Sequence, residues 1–125
     1  MGNVIRWLES KPKLAVNLAV FYAGMIFLLS SMRRVPMPPG PWYTSFILHF
    51  VEYLGFGFLL LAALRSRRVQ RNPLALAVLI AVAYAASDEL HQYFVPGRCP
   101  DVWDFIFDSM GSAAGTVINN RFRSR

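Results

Sequence analysis

Ten side chains in this 125-residue chain could do chemistry together, and they fall in three stretches. The first holds His49 and Glu52. The second holds Asp88, Glu89, His91 and Gln92, followed by Arg98. The third holds Asp101, Asp104 and Asp108. Histidine and carboxylates at hydrogen-bond range can pass a proton to or from a reacting group. An arginine beside them can hold a phosphate or carboxylate through its forked donors. Asp, Glu and His are also metal-ligand types, but their spacing matches no strong metal motif. We therefore expect no cofactor, with a divalent metal ion as the alternative.

These residues need elements to bring them together, and the spacing suggests helices. His49 and Glu52 are three apart. Asp88, His91 and Gln92 fall at i, i+3 and i+4, and Asp101, Asp104 and Asp108 at i, i+3 and i+7. Each set shares one helix face, with Glu89 offset from Asp88. The surrounding sequence is strongly apolar. Segments over 14–32, 46–64, 73–94 and 102–118 are each about the 20 residues that cross a hydrocarbon core of about 30 Å. Between the first two, Pro36, Pro38, Pro39 and Pro41 fix φ and remove donors, so that stretch is an extended loop. Trp42 and Tyr43 suit a headgroup-level aromatic anchor. Asn72-Pro73 opens the third segment with proline at the first helical position. Pro96-Gly97 closes it. Segments three and four are the less apolar pair because they contain carboxylates.

The composition agrees with a membrane protein. Apolar residues make up 55% and charged residues 16%, with 13 basic against 7 acidic side chains and a net charge of +6. A soluble domain carries roughly a quarter charged residues. Eleven of the basic residues are arginine, which raises nucleic-acid binding. They sit at the ends of apolar segments, however, and form no stripe along one surface, so no nucleic-acid partner is expected. The short loops and tails on one side carry ten basic residues, and the other side carries Arg33, Arg34 and Arg98. Positive-inside bias then puts both termini in the cytoplasm. The expectation is an all-α integral membrane bundle of about four transmembrane helices, a multi-pass protein of the cell membrane with one domain over 1–125. The run after Lys13 reads as a retained helix, because Ser30-Ser31-Met32-Arg33-Arg34 is a poor cleavage site. Cys99 is the only cysteine, so no disulfide forms within the chain.

With that topology all three stretches reach the outer face. Charge near the bilayer centre costs about 2.5–3.5 kcal/mol on insertion scales, so the group must pair, bind an ion or face water. Glu89, His49 and Asp104 are the candidate catalytic residues. Arg98, Gln92, Asp88, Glu52, His91 and Asp108 are the candidate binding residues. Structural alternatives stand beside each. Asp101 after Pro100 reads as a helix N-cap, with Asp104 in a first turn favoured by the dipole. Asp108 lies too deep to be a cap. His49 and Glu52 could be a hydrogen-bonded packing pair. Glu89 and His91 could be solvated at a helix end. Arg98 is a surface residue or, as we favour, the counter-ion of the carboxylates. Cys99 is an incidental loop cysteine or a nucleophile beside His91. Gly111 and Gly115 form a small-xxx-small step suited to close helix packing.

The run Asp88-Glu89-Leu90-His91-Gln92-Tyr93-Phe94-Val95-Pro96-Gly97-Arg98, followed by Asp101, Asp104 and Gly111, resembles the VanZ-like family of small membrane proteins. Ser30-Ser31 matches the end of that family's first helix, and His49-Phe50 with Tyr53 its His-Phe-x-x-Tyr. The match covers nearly the whole chain. The family often has Asp-Lys shortly before the histidine, where this chain has Phe46-Ile47-Leu48, and Asn where this chain has Asp108. The resemblance implies a multi-helix membrane fold and a link to teicoplanin resistance in the bacterial cell envelope. The expected partners are membrane lipids and a lipid-linked cell-wall precursor or glycopeptide, met at the outer face. The oligomeric state is left open.

Overall fold

The computed structural model describes residues 1–32, 40–69 and 72–124. Its elements are five helices, α1 Gly2–Glu9, α2 Pro12–Ser30, α3 Thr44–Ser66, α4 Pro73–Tyr93 and α5 Val102–Arg123. No strand occurs among the described residues, so the fold is all-α. Three helices, α2, α3 and α4, are long and apolar enough to cross a membrane, with mean hydropathies of 1.7, 1.9 and 1.6. Their outer surfaces expose Val20, Phe21, Leu28, Val51 and Leu79, each more than half accessible. Large apolar side chains at that density are stable in lipid and costly in water. This is a membrane protein.

Local chemistry sets the helix ends. Proline occupies the first turn of both α2 and α4, where its missing N–H has no partner to lose. Asn72 caps α4, its Oδ1 accepting from the backbone N–H of Leu74 at 3.2 Å and Ala75 at 3.3 Å. Asp101 caps α5 by accepting from Trp103 N at 2.9 Å, as its position after Pro100 predicts. Gly97 takes a positive φ of 85° in the turn after α4.

Helix α1 precedes the first apolar segment expected from the sequence. Eight residues are marginal as an isolated helix. Here Ile5 and Leu8 are buried against the bundle, and α1 packs on α2, α3 and α5. Glu9 at its end accepts from Arg123 Nε at 2.8 Å and lies 3.8 Å from Arg65 Nη1. Arg65 also donates to Asn119 at 3.3 Å and to Asn120. This arginine-rich network closes one end of the bundle.

Helix α3 is the hub, packing on all four others. Its contact with α5 is the most intimate because glycines line it. A Cβ at Gly57 would collide with the backbone of Ser112, one at Gly111 with Phe50 O, and one at Gly115 with Leu54 O. The carbonyls of α3 therefore rest against bare α-carbons of α5, the close approach that small residues permit. Small side chains tighten the rest of the core. Ala15, Ala19, Ala62 and Ala63 cluster with Leu8, while Ala81 and Ala85 surround Ile26, Tyr53 and Phe56. Tyr22 and Tyr84 tie α2 in by donating to Glu52 O at 2.9 Å and Ala23 O at 2.6 Å.

Candidate functional site

The α2 end, α3 start, α4 end and α5 start meet at the pole opposite the arginine network. The sequence placed its three polar stretches on one face, and the side chains do come together there. At the centre is His49, three residues into the second turn of α3. Its Nδ1 lies 3.0 Å from Asp108 Oδ1, and its Nε2 lies 3.5 Å from Asp104 Oδ2. Both carboxylates come from α5, one helical turn apart, so a single face of α5 brackets the ring. A carboxylate only accepts, so the 3.0 Å contact calls for a proton on Nδ1, and Nε2 facing Asp104 carries one only when the ring is the imidazolium.

The two carboxylates differ in environment. Asp108 is fully buried, while the side chains of His49 and Asp104 are each 14% exposed. The Asp108–Nδ1 bond is therefore sealed inside the bundle. The Nε2–Asp104 edge is longer than a good hydrogen bond and reaches the surface.

Glu52 does not pair with His49, whose two nitrogens are taken up by α5. The packing pair considered from the three-residue spacing is therefore not formed. Glu52 Oε1 is buried without a partner among the described residues, and the side chain lies within electrostatic reach of His49, Asp88, Asp108 and Arg98. Asp88 and Gln92 are both buried, and Gln92 Nε2 donates to Asp88 Oδ2 at 3.2 Å. Glu89 turns to α5, where its Oε2 accepts from Asp101 N at 3.0 Å. Its Oε1 is buried and unpartnered. Glu89 is thus anchored to the turn before α5 and is not a solvated helix end.

His91 is also engaged. Its Nε2 is 2.9 Å from Ser31 Oγ, and its ring stacks on Phe27 with centroids 4.6 Å apart. It points to α2, away from the His49 group, and Cys99 is free and exposed in the following loop. Arg98 forms no ion pair with a carboxylate among the described residues, contrary to the counter-ion expected from sequence. It stays within electrostatic reach of Glu52 and Asp104, and its Nε is buried with no partner. Arg33 and Arg34, the other basic residues of that side, lie outside the described residues.

Tyr53 joins the group although it is neither an acid nor a histidine. It lies one turn after His49 on the same α3 face, is fully buried, and its hydroxyl has no partner among the described residues. Asp88, Asp108 and Glu52 are within electrostatic reach of it. The i+4 spacing from His49 was the available signal. Among the described residues no three His, Cys, Asp or Glu side chains are arranged to hold a metal ion. Beside the site a groove of about 300 Å3 runs between α4 and α5, lined by Ala86, Glu89, Pro100, Asp101, Val102 and Phe105.

The arrangement offers a buried acid on one nitrogen of a histidine, a second carboxyl 3.5 Å from the other, and an arginine with no carboxylate partner among the described residues. No curated protein and no solved structure matches the chain. The family comparison is informative: the model described as VanZ/LLP1 matches residues 4–123, nearly the whole length, and the chain belongs to that family.

Proposed function

We propose that this chain is a single-domain, four-span protein of the bacterial cell membrane, with both termini cytoplasmic. Its polar pole binds or acts on a lipid-linked envelope component or a glycopeptide at the outer face. Helix α5 is the fourth span. Its 22 residues measure about 33 Å at 1.5 Å per residue. Its low apolar content comes from a face that never meets lipid, because Asp108, Ser112, Thr116 and Asn119 are each fully buried. The basic excess at the opposite pole supports the orientation.

The observation that carries the functional reading is the clamped histidine. Asp108 holds Nδ1–H and leaves Nε2 as the acceptor, the logic by which a buried acid fixes a catalytic imidazole. Nε2 then removes a proton from a hydroxyl or water that reaches it from its exposed edge, beside Asp104. Glu89 supplies a proton to the departing group, and Arg98 holds a phosphate of the substrate. Asp88 and Gln92 set the floor of the site. Link to teicoplanin resistance follows the family resemblance.

A second, non-enzymatic reading has its own support, since both ring nitrogens of His49 already face carboxylates and the group could serve helix packing alone. The variants H49Q and E89Q separate the two. Each is expressed in a susceptible host at wild-type level, with teicoplanin susceptibility and detergent melting measured together. The site reading expects resistance to fall while melting stays unchanged. Parallel loss of both supports the packing reading. Full resistance in both variants would end the case for the site.

A further inference from the structure

The groove between α4 and α5 shares Glu89 with the proton-transfer residues and otherwise lies apart from them. Its walls are the side chains of Ala86, Pro100, Val102 and Phe105, and its only carboxylates are Glu89 and Asp101. Asp101 is occupied as the α5 cap, and one oxygen of Glu89 is occupied by Asp101 N. That leaves Glu89 Oε1 as the buried wall acceptor without a partner among the described residues. The same helix ends expose Leu90, Tyr93, Val102 and Trp103, so the groove opens onto a lipid-facing surface. At about 300 Å3 it has room for roughly ten groups of water's size, about 30 Å3 each.

An apolar trough with one buried, unpartnered hydrogen-bond acceptor at its wall suits one kind of occupant. Water gains little there, because few polar atoms line the wall. An acyl or isoprenoid chain gains by leaving contact with headgroups and water. A donor on the head of the same molecule completes Glu89, whose unpaired buried oxygen is otherwise costly. We infer that this groove is a lateral binding site for the chain of an amphiphile whose head donates a hydrogen bond to Glu89. The inference rests on the functional reading in one respect, that this amphiphile is what is presented to His49.

The test uses the full chain in vesicles of phosphatidylethanolamine and phosphatidylglycerol. Phosphatidylethanolamine with a photoactivatable diazirine on its acyl chain is added as the probe. After irradiation, labelled residues are mapped by mass spectrometry. Labelling across 86–105 should exceed that at Phe21, an exposed apolar residue on α2. Ala86→Trp, which fills the groove, should remove most of the labelling there and leave Phe21 unchanged. Ala86→Leu serves if the larger side chain prevents folding. A choline-headed probe, which lacks N–H donors, should label about fivefold less, the scale of one hydrogen bond, and E89Q should narrow that difference. Labelling no stronger than at Phe21, or indifferent to both groove-filling variants, overturns the site. Equal labelling by the two heads overturns the role of Glu89. In H49Q the labelling should persist, so loss of the His49 function and loss of the groove are read separately.

Discussion

The asymmetry of the His49 clamp can be measured. The perturbation is a pair of double-mutant cycles, His49→Phe with Asp108→Ala and His49→Phe with Asp104→Ala. The Asp108 contact is 3.0 Å long and its carboxylate is 0% exposed. A buried hydrogen bond of that kind to a charged group contributes about 1.5–3 kcal/mol, or roughly 10- to 100-fold in the unfolding constant. The Asp104 contact is 3.5 Å long and both side chains are 14% exposed. Water screens it and its geometry is loose, so about 0.2–1 kcal/mol is expected. His49→Phe alone should be the most damaging single change, because it strands Asp108 without its partner. Removing one member of a buried pair costs about 3–5 kcal/mol. The assay is equilibrium unfolding in mixed micelles on addition of sodium dodecyl sulfate, followed by far-ultraviolet circular dichroism. A coupling energy for Asp104 equal to or larger than that for Asp108 would refute the argument that burial and distance rank these contacts.

Gly111→Val and Gly115→Val should each lose about 1–3 kcal/mol or more in the same assay, since the new Cβ meets an α3 backbone carbonyl that cannot turn aside. Gly24→Ala is the control: nothing lies within 4 Å of its added Cβ, and alanine is the better helix former by about 1 kcal/mol, so stability should hold or rise. If Gly115→Val is as stable as the wild type, the close α3–α5 approach is wrong. Cys99, the one native cysteine and an exposed one, should react with a membrane-impermeant maleimide on intact cells. A cysteine at Arg67 in a Cys99→Ser background should react only after permeabilisation. The reverse pattern would invert the proposed topology.

The linear sequence determined a good deal. Apolar runs of membrane-crossing length, broken by proline-rich and arginine-rich joints, fix where α2, α3 and α4 form, because hydrocarbon burial and backbone satisfaction act over each segment by itself. Antiparallel alternation then brings His49, Glu89 and Asp104 to one pole, and the local caps at Asn72 and Asp101 follow from neighbouring residues alone. Helix α1 escaped because eight charged and mixed residues carry little intrinsic helicity, and docking of Ile5 and Leu8 supplies the rest.

Tertiary structure decided who touches whom. Spacing offered Glu52 as the partner of His49, yet the ring turned to Asp104 and Asp108. That choice depends on the rotation of α3 about its axis and on its distance from α5. Both are set by Gly57, Gly111 and Gly115, whose bare backbones let the helices close. The same rotation turned the polar face of α5 inward, left Arg98 without an ion pair among the described residues, and buried the Tyr53 hydroxyl. Periodicity identifies which side chains share a face, but the angle at which two faces meet is a property of their packing, and no single segment contains it.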